Sequence, residues 1–391
     1  MKLYSSKNIA KDLNHTERPF VGVLTEDLEM YEPRRGSYIA IVKQENVKIP
    51  RGFKLVLITS SCNYLDTNSS EHVVIIDSSL DYLKSGDVIR FDPRSLSISV
   101  IYRLGANANS LLTTERCNSF CLMCSQPPRD IDDTYRAEDI LDAIPLISQS
   151  AHEIGLTGGE PTLLGTYFIK ILYSLKKHLP KTSVHVLTNG RTLQHEELAR
   201  EISEVAHPDL MFGIPLYSDI AHIHDFVVQA DGAFDETIRG ILNLKRFSQK
   251  VEIRIVIHKQ TYERLENLAE YISRNLLFVD HVALMGLEIT GFTRANLDEL
   301  WIDPVDYQEQ LKAAVSILDS AGIRTSIYNL QLCLVPKELW PYCVKSISDW
   351  KNEYISECDL CVERNLCGGF FESSKYRRSD NIKAIQSFDI P

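Results

Sequence analysis

Short runs of apolar and β-branched residues, bounded by Gly, Pro, Asp or Ser, dominate the first hundred positions. Five such runs predict strands, at residues 21–24, 38–42, 55–58, 73–76 and 88–91. After the turn at residues 92–95, Leu96, Ile98 and Val100 alternate with serines, which predicts a hairpin with one buried face. We therefore expect residues 1–105 to form a separate β-rich domain.

From about residue 107, strand-like runs alternate with amphipathic helical patterns. Helices are predicted at residues 138–147 and, from apolar stripes, around Phe168–Leu175 and around Ile238, Ile241 and Leu242. The six predicted strands are 111–114, 153–157, 183–187, 210–216, 251–257 and 281–287. Repeated βα units predict an α/β fold with a parallel sheet, here an open, partial (β/α)6 TIM-type barrel over residues 106–325. Residues 326–391 form a cysteine-rich tail.

Polar and glycine-rich motifs follow the predicted barrel strands, where the active site of a βα barrel lies. The first strand leads into a loop with three cysteines, and the second into Gly-Gly-Glu-Pro. Paired glycines let backbone approach a ligand closely, and the carboxylate that follows can accept hydrogen bonds from an ammonium group. The candidate residues in chain order are Cys117, Cys121, Cys124, Gly158, Gly159, Glu160, Asn189, Ser218 and Leu287.

The three cysteines of the first loop are spaced three and then two residues apart. Thiolates so crowded repel one another unless positive charge lies among them, so the spacing favours a metal centre over three ordinary buried cysteines. A [4Fe-4S] cluster normally takes four cysteines, and this loop supplies three. One iron would then be free to bind another ligand.

A second group of cysteines lies in the tail. Cys358, Cys361 and Cys367 have metal-ligand spacing, and Cys333 is the candidate for a fourth ligand. Cys343 is an alternative ligand, a packed thiol or a residue that faces the substrate. Zinc and a [4Fe-4S] cluster both accept four cysteines, so the residue types alone leave both open.

Composition narrows the class of protein. Apolar residues make up 44% and charged residues 24%, as in soluble globular proteins. The net charge of -11 argues against broad nucleic-acid binding, and no apolar run is long enough to span a membrane. The start of the chain has no signal-peptide core, so we expect a cytoplasmic protein.

The loop Cys117, Cys121, Cys124 and the later Gly158-Gly159-Glu160-Pro161 resemble the CxxxCxxC and GGEP motifs of the radical S-adenosylmethionine (SAM) superfamily. The resemblance implies a [4Fe-4S] cluster that binds and reductively cleaves SAM, yielding a radical that removes hydrogen from substrate. It implies that Gly158, Gly159 and Glu160 hold the methionine end of SAM. Further contacts are implied for its ribose and carboxylate, at Asn189 and Ser218, and for its adenine, at Leu287 and Glu288; Arg254 is another possible carboxylate partner.

The tail resembles the auxiliary-cluster extensions of radical SAM peptide-modifying enzymes, which favours a second [4Fe-4S] cluster over zinc. Four stretches resemble the C-type maturases of the His-Xaa-Ser peptide system, at residues 86–89, 117–128, 346–350 and 367–371. This implies a ribosomally made substrate with His-Xaa-Ser repeats, a second radical SAM maturase as partner and an external reductant such as flavodoxin or ferredoxin. Cys343 and Tyr217 are candidates for the group opposite the radical. The alternatives are a radical SAM enzyme for a small-molecule cofactor precursor and a non-catalytic, zinc-stabilised binding module.

Overall fold

The computed structural model describes residues 3–11, 18–45, 47–62, 72–345 and 352–386. By its internal contacts the chain divides into two units. The first comprises Met1–Leu111, Thr134–Ile154 and Lys170–Thr182, and the second Leu112–Asp133, Gly155–Ile169 and Ser183–Pro391. The predicted three-part division at residues 105 and 325 stays a prediction.

The first sheet has eight strands in the order β1-β8-β7-β3-β4-β5-β6-β2. Its strands are β1 (Tyr4–Ser5), β2 (Ile9–Lys11), β3 (Phe20–Thr25), β4 (Tyr38–Val42), β5 (Leu55–Ile58), β6 (Val73–Ile75), β7 (Val88–Asp92) and β8 (Ser97–Tyr102), with a short helix α1 (Glu32–Arg35) after β3. The β3–β4, β4–β5 and β5–β6 pairs are parallel, and the other pairs are antiparallel.

Apolar clusters cover both faces of this sheet. Ile39 and Ile41 of β4 point into one cluster, while Ala40 and Val42 point into another. Successive side chains of a strand face opposite sides, so burial on both sides explains why these strands read as unbroken apolar runs.

The second sheet also has eight strands, in the sequential order β9 to β16. They are β9 (Asn109–Leu112), β10 (Glu153–Thr157), β11 (Ser183–Leu187), β12 (Leu210–Pro215), β13 (Lys250–Val256), β14 (His281–Met285), β15 (Thr325–Tyr328) and β16 (Cys343–Val344). Each successive pair from β11 to β16 is parallel. The predicted α/β fold with a parallel sheet is confirmed, and the partial barrel stays a prediction.

Helices connect most strands of the second sheet. They are α2 (Tyr135–Ala143), α3 (Thr166–His178), α4 (Glu196–Val205), α5 (Ala221–Val228), α6 (Ala233–Arg246), α7 (Leu265–Asn275), α8 (Phe292–Ala295), α9 (Leu297–Leu300) and α10 (Gln308–Ser320). Across the described ranges, no helix has the length and apolar character needed to cross a membrane.

The predicted apolar stripe of α6 was wrong in part. Ile241 is buried as predicted, but Leu242 is exposed. The buried face also includes Thr237, Gly240 and Leu244. A Cβ on Gly240 would lie 2.1 Å from the carbonyl oxygen of Gly190. The helix therefore packs on the turn after β11 through small residues, which an apolar-stripe search overlooks.

Candidate functional site

The loops that follow β9, β10, β11 and β14 meet in the second unit. The amide Nδ2 of Asn189, after β11, lies 3.8 Å from the Sγ of Cys117, after β9. Leu287, after β14, packs in an apolar cluster with Cys121 and Met123. Residues predicted at the ends of separate strands are therefore neighbours in space.

The three thiols of the first loop are free and partly buried. Burial, followed by the nearby Cys124 and Cys117, raises the pKa of Cys121 to about 12. Burial, followed by the charge of Glu160, raises the pKa of Cys117 to about 11. Negative charge on one thiol thus disfavours negative charge on the next. A cationic metal centre reverses this penalty, so the donor set fits an iron-sulfur cluster.

The start of the cysteine loop is anchored by Asp133, whose side chain is fully buried. Its carboxylate accepts hydrogen bonds from the hydroxyl of Thr114 at 2.8 Å and from the backbone N–H of Glu115 at 2.6 Å. These bonds fix the backbone where it leaves the sheet. Strand β9 ends at Leu112, two residues before the predicted end, and the N–H of Thr113 still donates to the carbonyl of Thr157 at 2.8 Å.

The middle of the loop is bound to α5. The backbone N–H groups of Phe120 and Leu122 donate to the carbonyls of Val228 and Val227, at 3.0 and 2.9 Å. Met123 is buried beside Val227 in the same apolar cluster. The apolar residue at this position therefore helps to fix the loop on the helix.

The end of the loop is held by a segment after β14. The sequence did not reveal this role of the segment. Its side chains Thr293 and Asn296 donate to the carbonyls of Met123 and Leu122, at 3.0 and 2.9 Å. The N–H of Phe292 donates to the Cys124 carbonyl at 2.8 Å. These contacts join positions about 170 residues apart in sequence, so no local motif announces them. The loop is held from both sides.

The paired glycines Gly158 and Gly159 fit against the chain's own backbone. A Cβ on Gly158 would lie 2.2 Å from the carbonyl oxygen of Thr114, and a Cβ on Gly159 would lie 2.1 Å from that of Arg116. Gly158 also has φ +152°. The N–H groups of Gly159 and Glu160 donate to these two carbonyls, at 2.8 and 2.7 Å. The pair thus sets the second loop directly beside the first.

Glu160 is the hub of these loops and is fully buried. Its Oε1 accepts from the N–H and hydroxyl of Thr162, at 3.0 and 2.5 Å, and from the hydroxyl of Thr188 at 2.6 Å. Its Oε2 accepts from the N–H of Asn189 at 2.6 Å. Burial raises the pKa of Glu160, and these donors oppose that rise. The carboxylate joins the loops after β10 and β11, and Oε2 alone has acceptor capacity left.

Asn189 and Arg191 link the third loop to the first. Besides its contact with Cys117, the Asn189 amide donates to Asn118 Oδ1 at 2.6 Å. The Arg191 guanidinium donates to the Asn118 carbonyl and to the Ser119 hydroxyl, and it pairs with Glu236 at 2.6 Å. Arg191 is a site residue that sequence reasoning missed, although it lies two positions after the candidate Asn189.

The other predicted SAM contacts lie nearby in differing environments. Ser218 is fully buried, donates weakly to Asp219 at 3.4 Å and accepts from the N–H of Ile220 at 3.1 Å. Asp219 is in turn paired with Arg264, at 2.6 and 2.8 Å. Ser218 thus shapes the turn after β12, and Leu287 is the closer neighbour of the cysteine loop.

Comparison with known proteins fits this geometry. Residues 111–272 match the sequence model of the radical SAM superfamily. This stretch is a radical SAM domain. It contains the loops after β9 to β13, so it includes the first cysteine loop, Gly158 to Glu160, Asn189 and Ser218.

Individual proteins are similar to parts of the chain. The Fe-coproporphyrin III synthase of Methanosarcina barkeri is 30% identical over 152 residues, 38% of this chain and 36% of that protein. Streptococcus suis SuiB bound to S-adenosylmethionine superposes with TM-score 0.47 and 15% identity, over 65% of this chain and 56% of that one. Native anSMEcpe with bound AdoMet superposes with TM-score 0.43 and 20% identity, over 56% of this chain and 63% of that one. The chain therefore spans about a third of the curated relative and about three fifths of these structures.

Two further candidate residues of the radical SAM domain are already engaged. Arg254 pairs with Glu252 at 2.5 Å, and Glu252 also binds His281 Nδ1 at 2.6 Å. Tyr217 is buried, and burial, followed by Cys121 and Cys124, raises its pKa well above the ordinary value. Tyr217 therefore stays protonated beside the cysteine loop, whereas Arg254 belongs to a buried ion-pair network.

The second cysteine group lies beyond the residues matched by the radical SAM model. Cys333, Cys358, Cys361 and Cys367 line one cavity of about 300 Å³, measured between its lining atoms with its mouth included. Burial, with smaller contributions from Cys367, Cys358 and Cys361, raises the pKa of Cys333 to about 11. All four thiols therefore border the same cavity.

Cys343 does not line this cavity. Its Sγ contacts the Leu339 carbonyl at 3.6 Å. Burial raises the pKa of Cys343 to about 12, and Cys367 is the one other thiol that contributes. Of the two alternatives for the fourth ligand, the geometry therefore favours Cys333. In the parts of the chain that the structure describes, no His, Cys, Asp or Glu group is arranged around a single metal ion.

Proposed function

We propose that the protein is a radical SAM enzyme that modifies a ribosomally made peptide. The observation that carries the first part is the trio of buried, free thiols on a loop that neighbouring elements fix on both sides, within a radical SAM domain. Cys117, Cys121 and Cys124 would hold a [4Fe-4S] cluster, which when bound would supply the electron for reductive cleavage of SAM and so the means to remove hydrogen from the substrate.

The chain's own residues position this chemistry. The backbone around Gly158 and Gly159 lies against the cysteine loop, and we propose that the methionine end of SAM binds beside it. Glu160 fixes Asn189, whose amide lies beside Cys117. Ser218, Leu287 and Glu288 are the remaining SAM contacts that we propose.

The substrate proposal is a peptide with His-Xaa-Ser repeats, a second maturase of the same system as partner, and flavodoxin or ferredoxin as reductant. It rests on the resemblance of residues 86–89, 117–128 and 367–371 to the C-type maturases. The fourth stretch, residues 346–350, lies outside the described residues. Mass spectrometry of the genomically neighbouring peptide, expressed with and without this protein, tests the proposal. An unchanged peptide mass would contradict the proposal for any modification that alters mass. An epimerisation leaves the mass unchanged, so chiral analysis of the peptide tests for it.

We also propose that Cys333, Cys358, Cys361 and Cys367 hold a second [4Fe-4S] cluster. The donor set fits, because four thiols share a cavity and backbone N–H groups point at their sulfurs. The N–H groups of Leu332 and Gly369 donate to Cys367, at 3.4 and 3.5 Å, and that of Ile385 donates to Cys361 at 3.4 Å. Such bonds stabilise thiolates bound to metal.

The test of SAM cleavage is the variant Cys121→Ala, reconstituted with iron and sulfide without oxygen. We expect it to fold and to yield no 5′-deoxyadenosine with dithionite and SAM, because the loop loses one of three ligands. Cys62→Ala is the matched control, since Cys62 is a core thiol of the first unit. Wild-type amounts of 5′-deoxyadenosine from Cys121→Ala would refute the assignment.

Two alternatives make different predictions. The partial similarity to an Fe-coproporphyrin III synthase favours a tetrapyrrole as the rival substrate. Consumption of a coproporphyrin, with the neighbouring peptide unchanged, would decide for it. A zinc-stabilised binding module would be colourless after anaerobic purification, whereas two clusters give a brown protein with about eight irons per chain.

A further inference from the structure

A cavity in the second unit lies between the two cysteine groups. It encloses about 590 Å³ between its lining atoms, its open mouth included. Leu287, which packs with Cys121, lines one side, and Gln331, which also lines the second cysteine cavity, lines another. A molecule bound here would therefore lie between both groups.

Among the residues that the structure describes, the charged side chains that line this cavity are Arg377 and Arg378, and no carboxylate joins them in its lining. Arg377 stacks on Trp301, with its guanidinium carbon 4.5 Å from the ring centroid. The charge of Arg378 contributes to the lowered pKa of Glu357, after the hydrogen bonds that Glu357 accepts from its own N–H and from Ser356. Three carboxylates, at Asp298, Asp303 and Asp306, line an adjoining cleft that includes Arg377 and not Arg378. The cavity itself is thus cationic, and Arg378 is its less compensated charge.

A buried hydroxyl adds a second, independent observation. Ser373 lines the cavity and is 8% exposed. Its Oγ has no hydrogen-bond partner among the described residues. A buried hydroxyl without a partner costs free energy, so a ligand that accepts its hydrogen bond removes that cost.

We propose that this cavity is a subsite for a carboxylate group of the substrate. The guanidinium groups of Arg377 and Arg378 present N–H donors to the two carboxylate oxygens, and the Ser373 hydroxyl donates a further hydrogen bond. The aromatic face of Trp301 holds Arg377 in place. The inference deepens the proposed function, since it assigns an acidic side chain or the free end of a peptide to the space between the cysteine groups.

The test uses the full chain and a simple probe, N-acetyl-leucine, with N-acetyl-leucinamide as its neutral match. Tryptophan fluorescence reports binding, because Trp301 lines the cavity. We expect a saturable change with the acid, and binding of the amide weaker by about tenfold or more. Trp301→Phe should lose the signal, which places the response at this cavity.

Variants separate the site from general charge effects. Arg378→Gln is expected to weaken binding of the acid by about tenfold, whereas Arg274→Gln, which removes an exposed arginine paired with Glu270 on α7, leaves it unchanged. Equal binding of acid and amide would overturn the proposal. Displacement of the probe by SAM would assign the cavity to SAM, and tighter binding of inorganic phosphate would make it a phosphate site; either result also overturns it.

Binding needs no catalysis, so the two proposals fail separately. A protein that binds the acid but yields no 5′-deoxyadenosine refutes the SAM-cleavage proposal and retains the subsite. A protein that cleaves SAM but does not distinguish acid from amide refutes the subsite alone.

Discussion

The two cysteine groups differ in how the chain holds them. The first is a short loop whose backbone is tied down by α5 and by the segment after β14, and it offers three thiols. The second is gathered from residues 333 to 367, offers four thiols, and directs backbone N–H groups at two of the sulfurs. The first group lies on a loop that neighbouring elements hold in place, and the second group lines a cavity.

This difference matches the roles we propose. A centre with three protein ligands keeps a position for SAM, and it needs a rigid loop so that this position faces the SAM-binding residues. A centre with four protein ligands has no vacant position. It therefore suits electron transfer or structural support better than direct binding of substrate.

The largest effect on stability is expected where the first loop meets the glycine pair. Gly159→Ala places a Cβ 2.1 Å from the Arg116 carbonyl oxygen, and we expect it to lower the free energy of unfolding by about 3 kcal/mol. Gly232→Ala is the control, because no atom lies within 4 Å of its Cβ and only its left-handed conformation, with φ +74°, is strained. Its expected cost is about 1 kcal/mol. Denaturant unfolding without oxygen measures both, and equal losses would contradict the close packing.

The second group is expected to respond to cysteine substitution by losing metal. The double variant Cys358→Ala/Cys361→Ala leaves two thiols in the cavity, so the iron content should fall from about eight to about four per chain. Cys343→Ala should retain the full content, because Cys343 lies outside the cavity. Iron analysis after anaerobic reconstitution compares them. Loss of iron in Cys343→Ala with retention in Cys333→Ala would reverse the ligand assignment.

The smallest effect concerns the segment after β14. Thr293→Val removes the hydrogen bond to the Met123 carbonyl and should destabilise the protein by about 1 kcal/mol. Thr293→Ser keeps the hydroxyl and should lose less. The same unfolding measurement applies, and a Val variant as stable as wild type would show that this contact does not hold the loop.

Much of the second sheet could be predicted from sequence, because β-branched runs and their bounding turns are local. Strands β10 and β11 match the predicted runs residue for residue. The two-residue strand β16 is too short to leave a pattern, and the predicted barrel lacked both β15 and β16. The position of each motif directly after a strand was likewise sufficient to predict that Cys117 and Asn189 lie close together.

The purposes of individual residues were harder to infer. Sequence reasoning assigned Glu160 to an ammonium group, but its burial and its four donors show that it also organises neighbouring loops. Gly369, in a stretch that resembles the C-type maturases, has φ +64°, and its Cβ would lie 2.6 Å from the Glu353 carbonyl oxygen. A pattern of residue types does not distinguish a glycine that faces a ligand from one that faces backbone.

The most direct test of the account is electron paramagnetic resonance of the reduced double variant Cys358→Ala/Cys361→Ala, with and without SAM. This variant lacks two of the four proposed ligands of the second group and retains the thiols of the first loop, so its iron-sulfur signal belongs to that loop. We predict that SAM changes this signal, because the loop leaves one iron open. An identical spectrum with and without SAM, or a variant that retains no cluster at Cys117, Cys121 and Cys124, would contradict the account.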